Sequence, residues 1–169
     1  IQSLVKLSRM ESGIIAVHSE DTTIKQMLES IQQQFNAKVR EKNITLSLCD
    51  TDLHVRCDSK WTVEALGNIV DNAIKYTACG GNVQIKVEQY SFFVKIDIID
   101  DGIGIEKEEI PKIFGRFYRS LSVADQPGVG IGLFLAREII QAQKGYIKVT
   151  SERGKGSIFS VFLPISKKE

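Results

Sequence analysis

Two neighbouring stretches alternate with period two, "NVQIKVEQ" (82–89) and "FFVKIDIID" (92–100). In the first, Val83, Ile85 and Val87 share one face, while Gln84, Lys86 and Glu88 share the other. Side chains on a strand point alternately to opposite faces, so this pattern requires a sheet with one face buried and one wet. A turn near Tyr90 and Ser91 makes the pair an antiparallel hairpin. Two further strands, "YIKVTS" and "SIFSVFLP", close the chain after a helix, "IGLFLAREIIQAQK", that stops at Gly145.

Upstream, the periodicity predicts a short strand in "GIIAVHS", then a helix from about Thr22 to Glu41 with Asp21 as N-cap. "ITLSLC" reads as a strand. A second helix runs from Asp58 to about Ala78, capped by Asp58 or Ser59. Its core face comprises Trp61, Val63, Leu66, Val70 and Ile74. Helices first, then strands with one interposed helix, predict an α/β two-layer sandwich: a mixed, mostly antiparallel sheet covered on one face by helices.

The 169 residues suit one domain with a substantial core. Lys+Arg 22 against Asp+Glu 21 gives a net charge of +1, so no global field favours nucleic acid or an anionic membrane. No apolar run approaches the roughly 18 residues of a spanning helix. Cys49, Cys57 and Cys79 lack metal-ligand spacing and read as reduced thiols.

The second helix carries an oddity. Asn is a poor interior helix residue, yet Asn68 and Asn72 share a face that Lys75 and Tyr76 extend. Two glycine clusters, "DDGIGI" (100–105) and "GVGIGL" (128–133), fit neither a Walker loop nor a dinucleotide fingerprint, and "GKGS" (154–157) lacks the Walker glycine. The second cluster opens a helix, whose free N–H groups suit phosphate. The first follows paired aspartates, and a carboxylate there can accept a hydrogen bond from the exocyclic amino group of adenine. Between the clusters, Lys112, Arg116 and Arg119 alternate with Phe114, Phe117 and Tyr118, as in a lid over a polyphosphate. Asn72 offers a hard neutral oxygen for Mg2+. Lys75 can neutralise phosphate charge, and Tyr76 can donate from the same face.

"NIVDNAIKYT", "DDGIGI", "IFGRFYR" and "GVGIGL" resemble, in order and spacing, the N box, first glycine box, F box and second glycine box of sensor histidine kinases. "GKGSIFSVFLP" resembles the family's closing strands, and "LSRMESG" the end of its dimerisation hairpin. The resemblance implies the catalytic, ATP-binding domain of a two-component kinase, with the Bergerat fold of the GHKL superfamily and ATP and Mg2+ as ligands. Asn72 would coordinate Mg2+; Asn68, Lys75 and Tyr76 would line the phosphate end, and Asp100 would read the adenine amino group. Arg119 would approach the terminal phosphate. Asn68, Lys75 and Arg119 would be the catalytic set. Gly102 and Gly104 complete the first glycine pattern; Gly128, Gly130 and Gly132 would admit the triphosphate. Ile105, Tyr118, Leu133 and Ser157 would line the same site.

Related ATPases carry Glu where this chain has Asn68; an amide is no base, which implies slow hydrolysis and storage of ATP for transfer. The phosphoacceptor motif is missing: His18 and His54 lack its flanking residues and read as structural or surface histidines. Residues 1–12 would be the remnant of the hairpin's last helix, and 13–169 the catalytic domain. The implied partners are that upstream hairpin and a response-regulator receiver domain, with no nucleic acid. The full-length protein would be a homodimer, cytosolic in this part and membrane-anchored elsewhere, and this fragment a monomer. Alternatives are a GHKL-type ATPase or serine protein kinase, and a degenerate non-catalytic interaction domain.

Overall fold

The computed structural model describes Val5, residues 16–119 and residues 130–166. Apart from Val5, the hairpin remnant, together with the lid stretch "SLSVADQ" and Gly128, lies outside the described residues. β1 (Glu20–Thr23) leads into α1 (Ile24–Glu41), followed by β2 (Thr45–Leu48), β3 (His54–Cys57) and α2 (Ser59–Tyr76). Then come β4 (Asn82–Gln89), β5 (Phe93–Asp100), a 3-10 turn (Ile110–Lys112), α3 (Gly132–Ala142), β6 (Tyr146–Glu152) and β7 (Gly156–Pro164).

The main sheet has the order β2-β4-β5-β7-β6. Only β2 and β4 run parallel; the other pairs are antiparallel. The expected hairpin is closed by a hydrogen bond from the Tyr90 amide to the Phe93 carbonyl, 2.8 Å. Along β5, Val94, Ile96 and Ile98 are buried, whereas Phe93, Lys95 and Asp97 are only partly so. The buried face meets the helical layer through Leu66, Val70, Leu135 and Ile139. Each fully buried Ile or Leu of this kind contributes about 1.5–3 kcal/mol of transfer free energy. The α/β two-layer sandwich is therefore as the pattern required.

Four local expectations change. The first strand is Glu20–Thr23, not "GIIAVHS"; Ala16–Ser19 form no strand, and the preceding residues of that stretch lie outside the described set. Asp21 consequently does not cap α1. It accepts hydrogen bonds from Ser166 and His54 instead, and Thr23 occupies the cap position without a side-chain bond. β3, which pairs with β1 in a separate two-stranded sheet, has no counterpart in the sequence reading. Trp61 and Val63 are half-buried at the margin of the core; the buried stripe of α2 is Ala65, Leu66, Ile69, Val70, Ala73 and Ile74.

Asp58 caps α2, accepting from the Trp61 amide at 3.1 Å. Behind it, Gln143 after α3 accepts from the Asp58 amide at 2.5 Å and exchanges hydrogen bonds with Thr62. That buried link fixes the start of α2 to the end of α3. α1 lies close along α2 at Gly67, where an added Cβ would stand 3.4 Å from Gln34 Oε1. The last turn of α2 is held by Lys42, whose ammonium donates to the Ile74 and Lys75 carbonyls at 2.8 and 2.7 Å. A cation at a helix C-terminus satisfies carbonyls that have no intrahelical partner.

Candidate functional site

A cavity of about 260 Å³ lies between α2, the start of α3 and the ends of β5 and β7. It gathers Asn68, Asn72, Lys75, Tyr76, Asp100, Gly104, Ile105, Tyr118, Arg119, Gly130, Gly132, Leu133 and Ser157 in its walls. Those are all the candidate site residues except Gly102 and the undescribed Gly128. Gly102 sits behind the wall, and its amide donates to Asp100 Oδ1 at 2.9 Å. It shapes the site without facing it.

Sheet register explains the carboxylate. Asp100 ends β5 and is paired with Val83 on one side and Ser157 on the other. It is 8% exposed. Burial pushes its carboxyl above the ordinary value, against the opposing effect of backbone hydrogen bonds from Gly102 and Ser157. Asp101 differs: its two oxygens accept from the Asn82 amide and side chain, at 2.9 and 3.0 Å, which holds its carboxyl low. Asp101 is thus a strand-end tie, and Asp100 the aspartate in the cavity wall. Ser157 is linked to Ser151, Oγ to Oγ 2.7 Å, and Ser151 in turn accepts from the Ile105 amide at 2.8 Å.

α2 supplies the opposite wall. The Asn68 amide donates to the Gly132 carbonyl at 3.1 Å, so the helix-poor asparagine holds the first turn of α3 in place. α3 has no side-chain N-cap, which leaves its first amides to be satisfied by something else. Gly130 adopts φ +75°, and a Cβ there would lie 2.8 Å from backbone atoms of Phe117 and Tyr118. Tyr118 donates to Glu109 at 3.0 Å, fastening the basic-aromatic segment to the loop before it.

Lys112 and Arg116 do not line the cavity. Arg116 stacks over Phe134 at 4.9 Å, and Arg137 over Phe114 at 5.0 Å, a reciprocal pair joining this segment to α3. His18 and His54 are both exposed, away from the cavity. Sequence reading missed Asp71, Ile103, Glu109, Ile113, Ile131 and Arg153, which also line it. Asp71 was findable: three residues after Asn68 and four before Lys75, it shares their face.

The arrangement can hold a flat apolar group between Ile103, Ile105, Ile113 and Leu133, with a carboxylate acceptor at its rim, and an anion against amides, Lys75 and Arg119. Among the described residues no group of three or more His, Cys, Asp or Glu could hold a metal. A divalent ion here would rest on an amide oxygen and on oxygens brought by the ligand.

A mixed sheet under helices, with such a cavity at its strand ends, defines one broad class of ATPases. The family model described as histidine kinase-, DNA gyrase B- and HSP90-like ATPase matches residues 57–167, and the chain belongs to that family. Among characterised relatives, the sensor histidine kinase WalK of Bacillus subtilis strain 168 is 32% identical over 174 residues, covering 100% of this chain and 28% of WalK. The sensor protein kinase PmrB of Pseudomonas aeruginosa is 30% identical, with 97% of this chain and 35% of PmrB covered. The solved structure of the Acinetobacter baumannii histidine kinase AdeS superposes with a TM-score of 0.77 at 25% identity, covering 98% of this chain and 77% of that one. The chain thus spans about a third or less of the length of these two curated relatives. No helix among the described residues is long and apolar enough to cross a membrane.

Proposed function

We propose that this chain is the ATP-binding catalytic part of a sensor histidine kinase. The observation that carries the reading is the buried Asp100 carboxylate in one wall of a cavity whose other wall presents Asn68, Asn72 and Lys75. Asp100 accepts the adenine amino hydrogen; guanine, with an oxygen at that position, is repelled. Asn72 holds Mg2+, which neutralises phosphate charge when bound. Lys75 and Arg119 offset the charge on the terminal phosphate, and the first amides of α3 take a phosphate oxygen. Tyr76, Tyr118, Leu133 and Ser157 shape the pocket, and Gly104, Gly130 and Gly132, with the undescribed Gly128, admit the triphosphate.

The γ-phosphoryl group passes to a histidine nitrogen on an upstream dimerisation hairpin. A phosphorus–nitrogen bond forms, the bond to the β,γ-bridging oxygen breaks, and ADP leaves. A response-regulator aspartate then receives the phosphoryl group. Residues 1–12 belong to that hairpin, the whole protein is a homodimer acting at the cytoplasmic side of a membrane, and this chain alone is a monomer. Asn68 supports transfer over hydrolysis, because its amide is engaged with Gly132 and cannot take a proton from water.

Calorimetric titration of ATP with Mg2+ tests the reading, repeated with GTP and with Asp100→Asn. Binding that disappears under either change is expected. Equal binding of GTP, or of ATP by Asp100→Asn, would overturn the adenine assignment. Supplying the histidine hairpin in trans then tests transfer.

A further inference from the structure

The phosphate wall contains a carboxylate that a phosphate site would not ordinarily tolerate. Asp71 lines the cavity between Asn68 and Lys75. Its two oxygens are divided between two ammonium groups: Oδ2 lies 3.1 Å from Lys75 Nζ, and Oδ1 lies 2.8 Å from Lys38 Nζ. Lys38 belongs to α1 and does not line the cavity. Its ammonium also stands 5.6 Å from the centroid of the buried Phe35 ring, which restrains where it sits.

The charges decide what each member does. Lys75 and Asp71 alone would sum to zero, and the whole carboxylate would be free to draw Lys75 down. Lys38 brings the set to +1 and occupies the oxygen that Lys75 does not use. Burial works against the ionised form of Asp71, but the hydrogen bonds and charges of Lys38 and Lys75 prevail and hold its carboxyl low. A second lysine, Lys42, which caps the C-terminus of α1, grips the same turn through the Ile74 and Lys75 carbonyls. The C-terminal end of α1 and its cap residue therefore fix Lys75 at its backbone and, through Asp71, at its tip.

We infer that Lys38 is a positioning residue for triphosphate binding, acting at a distance through Asp71 on Lys75. The inference rests on the proposal that the cavity takes ATP. Lys38→Met lets Asp71 draw Lys75 away from the phosphate and lowers the charge of the set from +1 to zero. A partly exposed ion pair of this kind is worth about a twofold to fivefold change in affinity.

The test is calorimetric titration of ATP with Mg2+, and of adenosine, into the wild type, Lys38→Met, Lys38→Arg, Asp71→Asn and the Lys38→Met/Asp71→Asn double variant. Lys38→Met is expected to weaken ATP about twofold to fivefold while adenosine affinity holds, because adenosine carries no phosphate. Lys38→Arg should restore ATP binding. In the Asp71→Asn background the Lys38→Met effect should vanish, since the group that transmits it is gone. Three results would overturn the inference: unchanged ATP affinity, an equal loss for adenosine, or the same loss with and without Asp71. A wild type that binds ATP while Lys38→Met matches it removes this inference alone; a wild type that binds no ATP removes the site reading too.

Discussion

Gly132 and Gly104 both line the cavity, yet substitution should affect them in opposite ways. At Gly104 the backbone has φ +71°, and an added Cβ would lie 2.1 Å from the Glu152 carbonyl oxygen. Left-handed backbone costs a residue with a Cβ about 1–2 kcal/mol, and overpacking adds about 1–3 kcal/mol. Gly104→Ala should therefore lose roughly 2–5 kcal/mol, a melting-point drop on the order of 4–20 °C for a domain of this size. At Gly132 the nearest atoms to an added Cβ are Asn68 Cβ and Cγ, at 3.8 and 3.9 Å, and φ is not positive. Among the described residues nothing needs that glycine, and it opens α3, where alanine is favoured by up to about 1 kcal/mol. Gly132→Ala should melt at or slightly above the wild type. Its methyl group nevertheless enters the space between α3 and Asn68 that the proposed nucleotide would fill, so ATP affinity should fall by at least about tenfold. Thermal unfolding and calorimetric titration on both variants check this. A Gly132→Ala protein that melts several degrees low, or that binds ATP as the wild type does, would refute the argument that this glycine serves the ligand and not the fold.

Asn72→Ala should weaken ATP binding with Mg2+ more than without it, and equal losses in the two titrations would remove Asn72 from the metal. Because burial raises the Asp100 carboxyl above its unfolded value of 3.8, the folded state holds that proton where the unfolded state has released it. Its contribution to stability is full at low pH and declines as pH rises through the raised folded value. Urea unfolding of wild type against Asp100→Asn across that range should show a difference that falls with pH, and a flat difference contradicts the burial argument. Lys42→Met removes the cation from the end of α2 and should cost about 1–2 kcal/mol in urea unfolding; a loss within error would show that water replaces it. Gln143→Leu strands the Asp58 amide and the Thr62 hydroxyl in the interior, so a loss of about 2–4 kcal/mol is expected by the same measurement.

The sequence made the β4–β5 hairpin and α2 readable because each repeats one period over eight or more residues with punctuation at both ends. β1 and β3 were not readable for the same reason in reverse. Each has four residues, and "EDTT" has no apolar member; the strand exists because β3 runs beside it, which no local pattern encodes. Trp61 looked like core because large aromatics usually are, but it lies at the edge of the buried stripe of α2, beside the fully buried Thr62, and is only partly covered. The candidate site was legible where chemistry clashed with local preference, as at Asn68, Asn72 and the glycines. Asp71 escaped because its spacing was helical and its charge unremarkable among helix residues. Only the fold shows that Lys38, thirty-three positions earlier, takes its second oxygen.

The same conflict between local preference and use explains the start of α3. Ser, Thr, Asp or Asn would satisfy the first amides of a helix at the cap position, but Ile131 stands there, fully buried and without a capping bond. Its side chain is committed to the core. Registration of the turn falls instead to Asn68, which grips the Gly132 carbonyl from α2. An aspartate at position 68 would turn an acceptor toward that carbonyl, so the amide serves the fold as well as the chemistry. The helix start is thus held in place while its first amides have no capping side chain. A well-capped α3 would supply the acceptor from its own side chain, and would occupy the amides that the proposed triphosphate requires.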